Sequence, residues 1–211
     1  MNDTPFGDPI QPGTPAPGVI ARAKDIILKP KETWAAIDAE PATTQSIYRP
    51  YVLVLAAIGP IAQLLGGQVF GYSLFGVTYR PPLVGAVLQS ILSYGLTLVS
   101  IYIVALVIDG LAPTFGGQKN QIQALKVSAY SWTAAWLAGI FGLIPALAVL
   151  GVVGLYSLYL LYLGLPILMK APQDKAIGYT AVVVLVAIAL FFVIGLIVAA
   201  LAAPAIVIPG A

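Results

Sequence analysis

Asp109 is the acidic residue that comes closest to a long apolar run. An acid or base inside the bilayer is the usual mark of an ion-coupled transporter or an intramembrane enzyme. Its place at the cytosolic edge of the second apolar run reads instead as a helix-end residue. Histidine and cysteine are both absent, which removes imidazole bases, thiolate nucleophiles, disulfides and the usual zinc ligands together. The remaining polar groups are hydroxyls and amides. Gln89, Ser90, Ser93, Thr97 and Ser100 recur at helical spacing, so they form one stripe that either lines a solute path or bonds neighbouring helices. Tyr156, Tyr159 and Tyr162 make an aromatic band able to hold a lipid tail or a quinone, or simply to pack. The loop 109–126, DGLAPTFGGQKNQIQALK, looks superficially like a phosphate loop. That motif needs Lys-Ser or Lys-Thr directly after its last glycine, whereas here Gln118 intervenes and Asn120 follows Lys119. The loop reads as a connector in which Asn120 caps a helix starting at Gln121. Trp34, Phe115, Tyr130 and the three tyrosines are the candidate partner or lipid contacts; no catalytic, cofactor-binding or metal-ligating residue is assigned.

The elements that must position these groups follow from composition. The chain is 60% hydrophobic and 9% charged, with a mean hydropathy of +0.96, where a soluble domain carries about a quarter charged residues. It is therefore read as an all-α polytopic membrane protein. Its formal charge of +2 is small and scattered, which argues against nucleic acid as a partner. Residues 128–169 contain no Asp, Glu, Lys or Arg. One helix of that length would be about 60 Å long, twice a hydrocarbon core of about 30 Å, so the stretch must fold back. Pro145 and Gly151 supply the break, giving a hairpin of 128–144 and 149–168. Five spans are expected, at 51–70, 83–108, 127–144, 149–168 and 177–203, the first kinked near Gly59 and Pro60. Ala134, Ala138 and Gly142 lie one turn apart, as do Gly195, Ala199 and Ala203. Such spacing lets helix backbones approach closely in lipid.

Residues 1–18 are rich in proline and glycine and lack the charged start and apolar run of a secretory signal; they read as a disordered tail. Residues 19–49 read as short amphipathic helices, cytosolic or interfacial. In the first, Val19, Ala23, Ile26 and Ile27 share a face away from Arg22 and Asp25. The second opens at Pro30, and Trp34 and Ile37 are expected to bury against the membrane domain or the headgroup layer. Residues 50–205 form the five-span domain and 206–211 an external tail. Every basic residue except Arg80 falls before the first span, between the second and third, or between the fourth and fifth. That bias predicts a cytoplasmic N-terminus and an external C-terminus in the inner membrane.

The lead-in ILKPKETWAAIDAEPAT, the connector LAPTFGGQKNQIQALKVSAYSWT, AGIFGLIPAL, and GLYSLYLLYLGLPILMKAPQDKAIGYT together resemble the Yip family of Ypt-interacting membrane proteins, the bacterial branch in particular. The most specific piece is Tyr156 to Lys170, with Pro166 and Lys170 where the family pattern has them. One departure is Ala134, where related proteins often carry proline; the third helix is expected to be straighter there. The resemblance implies five spans and a cytosolic N-terminus. Eukaryotic relatives are linked to Rab-type GTPases, but the short cytosolic portion gives no reason to transfer that partner. The expected role is a non-enzymatic membrane scaffold or lipid-organising protein, in contact with membrane lipids and with itself or another membrane protein. The alternative is a passive channel or carrier for a small neutral or lipophilic solute.

Overall fold

The centre of the molecule is the helix α7, Gln121–Ser131, in which every residue from Ala124 to Ala129 is buried. Its start is local in origin: the Asn120 side chain accepts from the Gln123 amide at 3.1 Å, satisfying a donor that a helix N-terminus otherwise leaves open. The computed structural model describes residues 17–74 and 77–202. Most of the expected tail 1–18, Ala203 and all of 206–211 lie outside the described residues.

Two short helices, α1 (Val19–Leu28) and α2 (Pro30–Ala39), precede the capped turn α3 (Thr44–Ile47). A π-helical turn, Tyr48–Val52, then leads into α4 (Leu53–Ala56) and α5 (Ile58–Val69). The expected kink falls at Ala57, because Pro60 has no amide proton to give the carbonyl of Ala56 and its ring crowds that carbonyl. An antiparallel pair, β1 (Tyr72–Leu74) and β2 (Val77–Tyr79), with Tyr72 opposite Tyr79, adds a small hairpin that was not expected. The long helix α6, Leu83–Leu111, returns to the connector, where Gly116 takes the left-handed conformation.

The organising hairpin forms, but its arms are less regular than expected. The first arm breaks at Trp132 between α7 and α8 (Thr133–Ala138), then tightens to a 3₁₀ stretch, Gly139–Leu143. The expectation of a straighter helix at Ala134 is thus corrected. The reversal sits at Ile144, which is extended at φ −120°, ψ 104°, as the residue before a proline is pushed to be. Gly151 takes no part in it and lies inside a 3₁₀ run, Pro145–Leu155, that continues into α9 (Tyr156–Leu168). The last helix is α10, Ala176–Ala202.

Among the described residues four helical stretches are long and apolar enough to cross a membrane: Thr44–Val69, Leu83–Phe115, Pro145–Leu168 and Gln173–Ala200. The fold is all-α and polytopic. The fifth expected span, 127–144, is the interrupted α7–α8 arm. Its interruptions, and the polar residues at the start of α7, separate it from the other four.

Glycines set how closely the arms approach. A Cβ on Gly66 would collide with the carbonyl oxygens of Gly142 and Leu143, the latter at 2.5 Å, and one on Gly139 would lie 2.9 Å from Gly59 Cα. A Cβ on Gly154 would meet Ala135 Cα at 3.1 Å and Ala138 Cβ at 3.5 Å. Dispersion over such contacts, not exclusion of water, holds helices together in lipid.

Candidate functional site

The α1–α2 hairpin is fastened to the ends of α7 and α9 by its own polar groups. Arg22, 4% exposed, pairs with Glu40 and lies over the Tyr130 ring at 5.8 Å. This corrects the expectation that Arg22 faces away from the buried side of α1. Lys126, 3% exposed, donates to the carbonyls of Ile37, at 2.8 Å, and Glu40. A cation there answers the carbonyls that the last turn of α2 leaves unpaired. Burial holds the Lys126 ammonium below the usual lysine range, and Glu40 and Asp38 oppose that shift. Asp38 pairs with Lys170 and accepts from Gln123 Nε2 at 3.0 Å. Lys170, just past the end of α9, is held at φ 55°, a left-handed conformation uncommon outside glycine and asparagine.

Beneath this clamp, Trp34 is fully buried and lies against Gly164 of α9, so close that a Cβ there would be 2.8 Å from the indole. Tyr130 meets Trp34 edge-on with centroids 6.4 Å apart and Tyr51 at 4.7 Å. Tyr51 shares a 2.7 Å hydrogen bond with Thr133. The clamp is therefore a closed polar and aromatic joint between lead-in and bundle.

A cavity of about 840 Å³ lies deeper, between the hairpin arms and α10. Its walls are almost wholly apolar, and Val152, Leu155 and Ile188 on its rim are all well exposed. Its polar groups include Ser128, Ser131 and Ser157. A second, more polar cleft of about 550 Å³ is lined by Gln63, Tyr72, Tyr79, Gln89, Ser90 and Ser93, and shares Gln63 and Tyr72 with the first.

The sequence profile described as the Yip1 domain matches residues 24–206, which takes in the hairpin, both cavities and all of the clamp except Arg22 at the start of α1. The chain belongs to the Yip1 domain family. No curated protein and no solved structure gives a significant match. Most of the clamp, from Lys24 onward, therefore falls within the matched Yip1 domain.

Within that domain the expected contact residues are divided. Trp34 and Tyr130 meet in the clamp. Phe115 stacks on Tyr179 at 4.8 Å, and the Tyr179 hydroxyl donates to the Ile108 carbonyl. Tyr156 donates to the Ile27 carbonyl at 3.1 Å and has Tyr159 beside it at 5.4 Å, while Tyr162 is half-buried. None of these six lines the apolar cavity; α9 turns the intervening Ser157, Leu158 and Leu161 toward it. The expected tyrosine band is thus not its wall. Of the small residues, Ala134 is buried, while Ala138 and Gly142 line the cavity. Gly195 and Ala199 are a correction: among the described residues nothing stands within 4 Å of a Cβ at Gly195, and Ala199 is exposed. The buried stripe of α10 runs Tyr179, Val183, Ala187 and Val198, with Ile194 half-buried along it. Gly195 and Ala199 sit about 100° round the helix from Ile194 and Val198 respectively.

The stripe on α6 divides: Gln89, Ser90 and Ser93 line the polar cleft, and among the described residues none of its hydroxyls bonds a neighbouring helix. Ser93, Thr97 and Ser100 donate to carbonyls three or four residues earlier on their own helix, at 3.1, 2.8 and 2.7 Å, the usual way a helical hydroxyl is satisfied in lipid. Sequence reasoning passed over Ser131 and Ser157. Their signal was their rarity as polar residues in a run without charge.

Proposed function

We propose that this Yip1 domain protein is a non-enzymatic membrane scaffold of the bacterial branch that organises lipids and a partner membrane protein, which is either a second copy or another chain. The observation that carries the reading is the apolar cavity rimmed by exposed apolar side chains at the depth of the spans. An apolar, lipid-facing groove suits acyl chains and not an aqueous solute. The broken arm 127–144 serves as the fifth crossing, so the N-terminus and the clamp are cytoplasmic, the C-terminus is external, and the host is the inner membrane. The short helices α1 and α2 sit at the cytoplasmic surface, with their inward faces on the bundle. No GTPase partner is part of the proposal.

The polar cleft beside Gln89, Ser90 and Ser93 favours a second reading, passive passage of a small neutral solute. Two measurements on purified protein separate them. Lipids co-purified in a detergent-free polymer disc are expected to differ from the bulk membrane, with one class enriched severalfold. Proteoliposomes are expected to pass glycerol and urea no faster than protein-free vesicles. Bulk-like lipid together with accelerated flux would replace the scaffold by the carrier.

A further inference from the structure

Ser131 departs from the rule that other hydroxyls of the bundle follow. Ser93, Thr97, Ser100 and Thr180 each donate back along their own helix, and Thr133 donates back to the Tyr130 carbonyl across the break at Trp132. Ser128 donates across to the Ile101 carbonyl at 2.7 Å. Ser131 is 3% exposed, lines the 840 Å³ cavity, and among the described residues has no partner of either kind for its Oγ. A buried hydroxyl left unpaired is costly enough to need a reason.

Ser157 supplies a second donor to the cavity wall. Its Oγ accepts from the Ala135 amide at 2.9 Å, and among the described residues its own proton has no acceptor. Ser131 and Ser157 both line the cavity, from opposite arms of the hairpin, and Ala135 stands four residues beyond Ser131. Each offers an O–H and neither is charged. The chemistry they match is an uncharged acceptor oxygen. The rest of the wall, with Trp132, Leu161, Val183, Ala187 and Phe191, matches a hydrocarbon chain. The volume is that of a site for one chain of moderate length.

We propose that this cavity binds a lipid-soluble carbonyl compound, its chain lying between the hairpin and α10 and its carbonyl oxygen accepting from Ser131 and Ser157. The exposed rim at Val152, Leu155 and Ile188 lets it enter sideways from the bilayer. Two sources share this chemistry, the acyl ester of a glycerolipid and the head of an isoprenoid quinone. The proposal rests on the reading of the chain as lipid-organising, in that the ligand comes from the membrane.

The test uses the purified full chain in detergent, titrated with monoolein, decylubiquinone or hexadecane while its melting temperature is followed. At least one carbonyl probe is expected to raise the melting temperature saturably. Its apparent Kd should weaken about fivefold in Ser131→Ala and in Ser157→Ala, the worth of one hydrogen bond. Hexadecane should not distinguish these variants from the parent. Ala187→Phe, which fills the cavity and leaves both hydroxyls, should abolish the shift. A response to monoolein alone assigns the acyl ester, to decylubiquinone alone the quinone, and to both the shared carbonyl. The proposal is overturned if neither probe binds, if Ser131→Ala and Ser157→Ala bind as the parent does, or if Ala187→Phe binds unchanged. Such failure alongside a selective lipid coat would leave the scaffold standing without this ligand.

Discussion

At the scale of the residue, two positions show how far side-chain contact outweighs composition. Gly66 and Gly195 are both glycines in apolar helices, yet a Cβ at Gly66 would stand 2.5 Å from the Leu143 carbonyl oxygen, and one at Gly195 would meet nothing within 4 Å among the described residues. Gly66→Ala is expected to cost roughly 1–3 kcal/mol, as overpacking does, or a drop of several degrees in detergent melting temperature. Gly195→Ala should leave that temperature unchanged or slightly higher, since alanine is the better helix former. Equal losses would mean that the outer half of α10 is packed after all. Lys126 gives a pH signature. Burial lowers its pKa from 10.5, so the folded chain releases this proton at a lower pH than the unfolded chain. Between the two values the unfolded chain binds more protons at this site, so the site's contribution to stability rises with pH. In a melting series approaching pH 10.5 from below, the parent should therefore gain steadily on Lys126→Met, whose curve lies lower throughout. Parallel profiles would show that the ammonium is not desolvated.

At the scale of the element, the clamp and the hairpin follow different rules. The clamp's two ion pairs differ in burial: the Arg22 and Glu40 side chains are 5% and 33% exposed, those of Lys170 and Asp38 49% and 24%. Screening and side-chain entropy leave an exposed pair worth little, whereas breaking a buried one strands its partner. Arg22→Ala is expected to lower stability by about 3 kcal/mol and to expose α1 to limited proteolysis. Lys170→Ala should cost less than about 1 kcal/mol and leave the cleavage pattern alone. If both variants are cleaved alike, the clamp is held by Trp34 on Gly164 and not by Arg22. The hairpin turns at Ile144 for a local reason, the proline after it. The breaks at Ala57 and Trp132 divide on the same ground: Pro60 accounts for the first, whereas small residues closely packed around Ala135 and Gly154 accompany the second without any proline.

At the scale of the whole molecule, the proposed fifth crossing by the arm 127–144 implies a topology that can be checked directly. On that proposal a reporter fused before Met1 is expected in the cytoplasm and one fused after Ala211 outside, since nine of the ten basic residues precede the first span or lie in the second-to-third and fourth-to-fifth connections. Both reporters on one side would make that arm re-entrant and remove the fifth crossing. The clamp would then still close on α7 and α9, since its bonds do not depend on where the arm ends.

The amino-acid sequence alone determined what depends on local chemistry. Composition made the chain a membrane protein, Asn120 started α7, Pro145 ended the first arm, and the motifs from Tyr156 to Lys170 pointed to the Yip family. Tertiary structure decided which faces meet. Lys126 reaches Ile37 across 89 positions and Tyr156 reaches Ile27 across 129, separations at which local pattern carries no signal. Within the spans the reason goes deeper. A soluble helix declares its buried side by alternating with polar residues, but α10 is apolar all round, so its pattern cannot say whether Gly195 or Val198 faces inward. Only the shape of α6 and α9 turned the Val183 stripe inward and left Gly195 exposed. The same shape closed a cavity beside Ser131 and left its hydroxyl without a partner among the described residues.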